Sequence, residues 1–178
     1  PFPPGGSFLW TETGDPKYVT VRQDTFDFFS NVISYPPRGI SGDGRIIITA
    51  AKKFGAQGFG VDLDTYLLRR ARENAKNEGV AERASFVEQN LFETDLSKAT
   101  VISSYLLPEM NLRLRPKILA LKPGTRIIAH DYHMGAWYPD DQRDIPVPEK
   151  VVGTPGVSYI YLWIVPAKVA GKWQVSVT

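Results

Sequence analysis

The chain reads as an α/β domain on a mostly parallel sheet with an antiparallel C-terminal edge, and three observations point there. From Gly42 onward, short apolar runs of strand length alternate with amphipathic stretches of helix length. The stretches between successive strands are long enough for crossovers, so the strands can run parallel with helices on both faces. After Trp137 the alternation stops, and strand-like runs follow one another with no helix between them, as an antiparallel pair at one edge requires.

The elements follow in order. Pro1, Pro3, Pro4, Gly5, Gly6, Gly14 and Pro16 make residues 1–17 an irregular arm that Phe2, Phe8 and Trp10 can anchor, and residues 18–178 form a single domain. Phe26, Phe29 and Ile33 recur at helical spacing, with Phe28 beside them, so a packing helix is expected over residues 23–32. Tyr35-Pro36-Pro37-Arg38-Gly39 then interrupts helix and ladder alike, because two prolines withhold two backbone donors. Gly42-Asp43-Gly44 opens a helix through Ile46, Ile47, Ala50 and Phe54, which Gly55 ends. Strands are expected over residues 58–62, 84–88, 100–104 and 125–130, with helices over 65–78 and 108–121. Gly79 closes the first of these helices, and Lys122-Pro123-Gly124 makes the turn after the second. Residues 138–152 are rich in proline and charge, and residues 158–165 and 172–177 read as the antiparallel pair.

Composition narrows the classes of function. With 178 residues, 43% hydrophobic and 22% charged, the chain is an ordinary globular domain without internal repeats. No apolar run approaches the roughly 18 residues that cross a bilayer, so no membrane span is expected. Twenty-one basic and 19 acidic residues leave a net charge of +2, too balanced to indicate a nucleic-acid partner. The absence of cysteine excludes disulfides, thiolate metal sites and cysteine nucleophiles. The chain starts at Pro1, which suits removal of a leader, and both a cytoplasmic and an exported location fit.

Ligands of open parallel sheets bind beyond the carboxyl ends of the strands, so the loops after Ile40, Asp62, Glu88 and Ser104 are expected along one edge. Ser41-Gly42-Asp43-Gly44-Arg45 offers two glycines through which backbone amides at a helix start can approach a carboxylate or phosphate; such glycines also make ordinary turns. Asp62 lies 18 residues beyond Gly44, where an acid can accept hydrogen bonds from ribose hydroxyls. The alternative for this acidic pair is helix capping, for which Asp64 is the better placed. A nicotinamide cofactor would want a third glycine where Ile47 stands, and no Gly-Lys-Ser or Gly-Lys-Thr marks a phosphate loop.

Ser41-Gly42-Asp43-Gly44-Arg45, Gly60-Val61-Asp62-Leu63-Asp64, Phe86-Val87-Glu88-Gln89-Asn90-Leu91-Phe92 and Leu121-Lys122-Pro123-Gly124 together resemble the successive motifs of class I S-adenosylmethionine-dependent methyltransferases, over about residues 40 to 137. Asp95-Leu96-Ser97, Tyr105-Leu106-Leu107-Pro108-Glu109-Met110 and Trp137 are similar to a narrower group. It comprises small prokaryotic relatives of the mitochondrial lysine methyltransferases acting on adenine nucleotide translocase and on the c-subunit of ATP synthase. The resemblance implies a Rossmann-like fold and S-adenosylmethionine as cofactor. It places Ser41, Gly42, Asp43 and Gly44 at the methionine part, Asp62 and Leu63 at the ribose, and Asn90 with Leu91 at the adenine. The family usually has aspartate at the Asn90 position, and an amide can still meet the adenine amino group.

Methyl transfer from a sulfonium needs alignment and desolvation rather than a protein nucleophile. A lysine amine as acceptor must be neutral, and Tyr105, Glu109 and Asp131 are the candidates to relay its proton. The implied acceptor is a protein lysine or a small molecule. Tyr105 to Pro108 can equally be read as the start of a packing helix. His130-Asp131-Tyr132-His133 invites a metal reading, but strand alternation puts His130 and Tyr132 on one face and Asp131 and His133 on the other, so no metal site is assigned.

One departure bears on activity. Relatives place an acid, an apolar residue and glycine before the Ser-Gly-Asp-Gly-Arg run, whereas this chain has Arg38-Gly39-Ile40, the opposite charge where the cofactor's ammonium is received. Asp43 or another carboxylate would have to substitute. The consistent pattern over residues 42–91 predicts an ordinary first strand entering Gly42. The rival reading is a non-catalytic methyltransferase-fold protein for binding or assembly with an altered cofactor loop.

Overall fold

A computed structural model describes residues 7–11, 42–151 and 153–169, the first of these as backbone. In chain order its elements are β1 (Ser7–Thr11), α1 (Arg45–Phe54), β2 (Gln57–Asp62), α2 (Thr65–Asn77), β3 (Ala84–Glu88), β4 (Val101–Ser104), α3 (Pro108–Leu119), β5 (Arg126–His130), β6 (Asp141–Val147) and β7 (Gly156–Ile164). One seven-stranded sheet carries them in the order β3-β2-β1-β4-β5-β7-β6. The pairs β2–β3 and β4–β5 are parallel, while β1 is antiparallel to both its neighbours and β7 to both of its own. Strands β2 to β6 therefore point one way and β1 and β7 the other. The expected α/β sheet with an antiparallel C-terminal edge is present.

The helices form where capping and burial agree. Gly55 ends α1 in the left-handed conformation, φ 66°, its N–H donating to the carbonyl of Ala51 while the N–H of Ala56 donates to that of Ala50. Asp64 caps α2 by accepting from the N–H groups of Tyr66 and Leu67 at 2.9 and 3.2 Å, the capping role expected of it. Pro108 starts α3, where its missing N–H leaves nothing unpaired. Period-two burial then fixes the layers: Ile102, Ile127, Ala129 and Trp163 pack under α3 with Leu114 and Ile118, while Val101, Ile128, Ile160 and Leu162 face α1 through Ala50. Beyond them α1 and α2 close over Ala84 and Phe86 of β3. Among the described residues no helix is long and apolar enough to cross a membrane.

Three expectations change. The proline- and glycine-rich arm expected to be irregular contributes Ser7–Thr11 to the centre of the sheet, where backbone pairing on both sides holds five residues that no breaker interrupts. That position lies between β2 and β4; the ordinary first strand expected to enter Gly42 falls on residues outside the described ones. Second, the charged stretch after Trp137 contains β6, whose polar side chains are tolerated on an edge where only Ile145 is buried, and where Pro146 is admissible. Third, β6 is therefore the outer antiparallel partner of β7 among the described residues. The helix expected over 23–32, residues Arg38 to Ile40 and the strand expected over 172–177 lie outside the described residues.

If β1 is bonded on both sides, its backbone amides exchange with solvent about as slowly as those of β4. Hydrogen-exchange mass spectrometry of the peptide containing Leu9 measures this, and exchange at the rate of a free peptide would refute the central placement.

Candidate cofactor and acceptor site

The sheet register brings the chemistry to one edge. Asp62 is level with Glu88, Val61 and Ser104 are both opposite Ser7, and Ser104 is level with Ala129, one residue before His130. The ends of β2, β3, β4 and β5 thus share an edge, as expected for the loops after Asp62, Glu88 and Ser104. Among the described residues, the buried side-chain atoms with no hydrogen-bond partner are Asp62 Oδ2, Ser104 Oγ, Asn111 Oδ1, His130 Nε2 and Asp131 Oδ2. Four belong to strand ends. The fifth, on α3, is tied to the same edge because Asn111 Nδ2 donates to the carbonyl of Tyr132 at 3.1 Å and to that of Leu106 at 3.4 Å. Buried polar atoms are nearly always bonded, so this concentration makes the edge the candidate place for a ligand or water to bind.

Asp62, 9% exposed, is held by half of its carboxylate. Oδ1 accepts the N–H groups of Leu63 and Asp64 at 2.8 and 2.9 Å, and Oδ2 has nothing. Burial pushes the carboxyl above its usual range, and the two backbone donors oppose that. Leu63 beside it is 61% exposed, an apolar surface available for a ligand to cover.

The glycine loop is closely packed. A Cβ on Gly42 would come within 2.3 Å of Leu67, and one on Gly44, at φ 78°, within 2.5 Å of Phe86, so α2 and β3 already fill the space that the missing side chains leave. Asp43 is engaged in a bidentate pair with Arg45, whose Nε lies 3.0 Å from Oδ1 and Nη2 2.6 Å from Oδ2. Its carbonyl accepts from Asn74 of α2 at 3.0 Å. Asp43 is therefore not the uncommitted carboxylate that a cofactor ammonium would need. Ser41 lies outside the described residues.

Asn90 also spends its side chain locally: Oδ1 accepts from the N–H of Phe92 and Nδ2 donates to Glu93, both at 3.0 Å. Leu91 is buried in the core under α3. Both polar atoms of the Asn90 side chain are thus engaged within this turn.

Of the three proton-relay candidates, two come together. Tyr105 packs on His130 with ring centroids 4.6 Å apart, and on Tyr132 at 6.0 Å. Burial, with the negative charge of Asp131 next, drives its phenol up to about 12, so Tyr105 is a donor at neutral pH and not a base. Asp131 takes the left-handed conformation, φ 62°, directly after β5. Its Oδ1 accepts from Lys150 Nζ at 2.6 Å and from the N–H of Tyr159 at 3.1 Å, and lies 3.6 Å from His130 Nε2. The strand alternation assumed for residues 130–133 stops at this residue, which is why His130 and Asp131 meet. Burial above all, with Lys150 adding to it against Asp131, brings the His130 imidazole down to about 4. Glu109 is exposed in the first turn of α3, where an acid complements the helix dipole.

Sequence alone does not single out Lys150 or Asn111. Lys150 sits in a stretch without periodicity, whereas a polar residue in register with Leu114 and Ile118 is a usable signal for Asn111.

The family model of the ANTKMT methyltransferase domain matches residues 41–141. A protein-lysine N-methyltransferase of Saccharolobus islandicus (strain REY15A) is 45% identical over 102 residues, covering 56% of this chain and 63% of the relative. The ATP synthase c-subunit lysine N-methyltransferase of Homo sapiens is 36% identical over 101 residues, covering 56% and 43%. The chain thus spans about half the length of these relatives. The crystal structure of an RNA methyltransferase from Salinibacter ruber in complex with S-adenosyl-L-homocysteine aligns at a TM-score of 0.62 and 40% identity, over 75% of this chain and 82% of the other.

A neutral buried His130 makes stability depend on pH in a definite direction. Its folded pKa lies below the unfolded 6.5, so the unfolded state binds the extra proton, and this contribution is lost as pH falls from about 6.5 through about 4. His130→Gln is expected to flatten that part of the profile in urea denaturation. An unchanged difference between pH 7 and pH 4.5 would refute a neutral His130.

Proposed function

The chain belongs to the ANTKMT methyltransferase domain family, and on that premise we propose that it binds S-adenosylmethionine along the carboxyl edge of its sheet and directs methyl transfer to a protein lysine amine. The observation that carries the reading is the pair of half-used buried carboxylates, Asp62 and Asp131, at that edge.

Asp62 Oδ2 suits the hydroxyls of a ribose, because a buried acceptor without a partner gains from a hydrogen-bond donor and a hydroxyl supplies one. Leu63 offers apolar cover beside it. When bound, the cofactor supplies an electrophilic methyl group on a sulfonium, a group that leaves readily. The protein's part is alignment, exclusion of water and management of the amine's proton. Asp131 Oδ2 can accept a hydrogen bond from the acceptor amine and take the proton that nitrogen loses when its new N–C bond forms. Tyr105 keeps its own proton and can donate at the same edge. The lysine named for the Saccharolobus and human relatives fits such a carboxylate.

A second reading, RNA as acceptor, is favoured by the Salinibacter relative. The balanced charge of +2 gives a polyanion little to bind, and a buried Asp131 is ill matched to phosphate. A third, a scaffold that no longer binds cofactor, draws on the glycine loop filled by Leu67 and Phe86 and on the Asp43–Arg45 pair.

Two measurements separate these readings. Asp62→Ala is expected to weaken S-adenosylhomocysteine by about 1.5 to 3 kcal/mol in calorimetric titration, the range for hydrogen bonds to charged groups. Unchanged affinity in a variant of unaltered melting temperature would remove Asp62 from the site, and no binding by the unsubstituted chain at millimolar ligand would favour the scaffold. Tritiated methyl groups offered to mixed protein and RNA acceptors are expected in methyllysine, and label confined to nucleosides would overturn the lysine reading.

A further inference from the structure

Lys150 lies in the turn joining β6 to β7, yet its ammonium is turned inward. The side chain is only 11% exposed, with Nζ 2.6 Å from Asp131 Oδ1 and 2.6 Å from the carbonyl of Val157. The turn holds it there: the N–H of Lys150 donates to Val147, and its carbonyl accepts from Gly156. Asp131 is fixed from the other side, its N–H donating to Tyr159 at 2.7 Å and its Oδ1 accepting from the N–H of Tyr159. Every protein partner of this carboxylate converges on Oδ1. Its other oxygen, in a side chain 4% exposed, is buried with none.

A cation held this way does two things for an amine arriving at Oδ2. It compensates the buried carboxylate and fixes its plane, so the vacant oxygen has a defined direction. It also disfavours a second positive charge nearby, which lowers the pKa of the arriving ammonium and raises the fraction of neutral, nucleophilic amine. Methyl transfer to nitrogen needs that neutral form.

We propose that Lys150 is a positioning residue for the acceptor, holding Asp131 by Oδ1 so that Oδ2 receives the lysine amine and favouring that amine's neutral form through its own charge. The role rests on the lysine reading above. The other titratable side chains around Asp131 include His130 at the end of β5, Tyr132 just after it, Tyr105 after β4, and Tyr159 and Tyr161 of β7. The imidazole held down to about 4 and the Tyr105 and Tyr161 phenols pushed upward by burial carry no charge at neutral pH, so Asp131 and Lys150 are the charges the amine meets, and Lys150 offsets the carboxylate's pull toward the ammonium form.

The test compares the unsubstituted chain with Lys150→Gln, which keeps donors without the charge, Lys150→Met, which removes both, and Lys150→Arg, which keeps the charge. With Nα-acetyl-lysine methylamide as acceptor, both neutral variants are expected to need about one pH unit more to reach half of their alkaline plateau in kcat/KM. KM should rise about tenfold in Lys150→Met, with a smaller change in Lys150→Gln, and Lys150→Arg should restore the pH profile. Independently of turnover, NMR titration of the chain's two histidines should show His130 protonating at higher pH once Lys150 no longer opposes it. An active unsubstituted enzyme with an unshifted profile in Lys150→Gln, or an unmoved His130 titration in both neutral variants, would overturn the role of Lys150 alone. An unsubstituted chain that binds S-adenosylhomocysteine and methylates no lysine would sink the lysine reading and this role together.

Discussion

A sheet covered on both faces leaves polar side chains few places to go. In β4 and β5, Val101 and Ile128 face one layer while Ile102 and Ile127 face the other, and all four are essentially inaccessible. A charged group there would be desolvated without compensation, a penalty of several kcal/mol that no packing contact offsets. Polarity can enter only where the strands end, and parallel pairing of β2 with β3 and of β4 with β5 puts those ends together. The assembly of Asp62, Ser104, His130 and Asp131 along one edge is thus a consequence of burial combined with register.

The same constraint explains what is legible in the amino-acid sequence. Residues 45–130 carry elements buried on one stripe or on both faces, so apolar spacing, Gly55, Asp64, Gly79 and Pro108 each mark a boundary that the backbone then respects. Strand β6 follows no such rule, because an edge strand with one buried side chain has a sequence like that of a loop. Strand β1 is hidden by the prolines and glycines around it, and what holds it is backbone pairing with β2 and β4, a non-local interaction that leaves no mark on local spacing. At the site, Asp62, Tyr105 and Asp131 are legible because each closes or follows a strand. Lys150 is not: its partner lies 19 residues earlier in the chain, and only the pairing of β7 with both β5 and β6 brings them within reach.

The glycine loop shows how one sequence feature can satisfy two demands. Gly44 is favoured by its positive φ and by the Phe86 ring where a Cβ would be, while a Cβ on Gly42 would push the end of the Leu67 side chain aside. Arg45 reaches back to Asp43, and Asn74 holds the Asp43 carbonyl, so the start of α1 is locked to α2 before any ligand arrives. A loop fixed this firmly supplies backbone direction more readily than side-chain charge, which places the burden of recognising a charged ligand group elsewhere.

Two carboxylates at the sheet edge are held in different ways. Asp62 and Asp131 each have Oδ1 occupied and Oδ2 buried and vacant, but the occupants differ. Two backbone N–H groups hold Asp62, so its charge is only partly compensated and burial raises its carboxyl, a state suited to neutral hydroxyl donors that sharpen its acceptor role. Asp131 is held by an ammonium as well as an amide, so the net charge near its free oxygen is close to zero. On the proposed reading, an amine that must shed a proton gains from both members of the pair, since the carboxylate oxygen accepts its N–H while the resident cation resists its charged form. On that same reading, the two ends of one sheet edge would separate a sugar from an amine by what occupies the oxygen that the ligand does not touch.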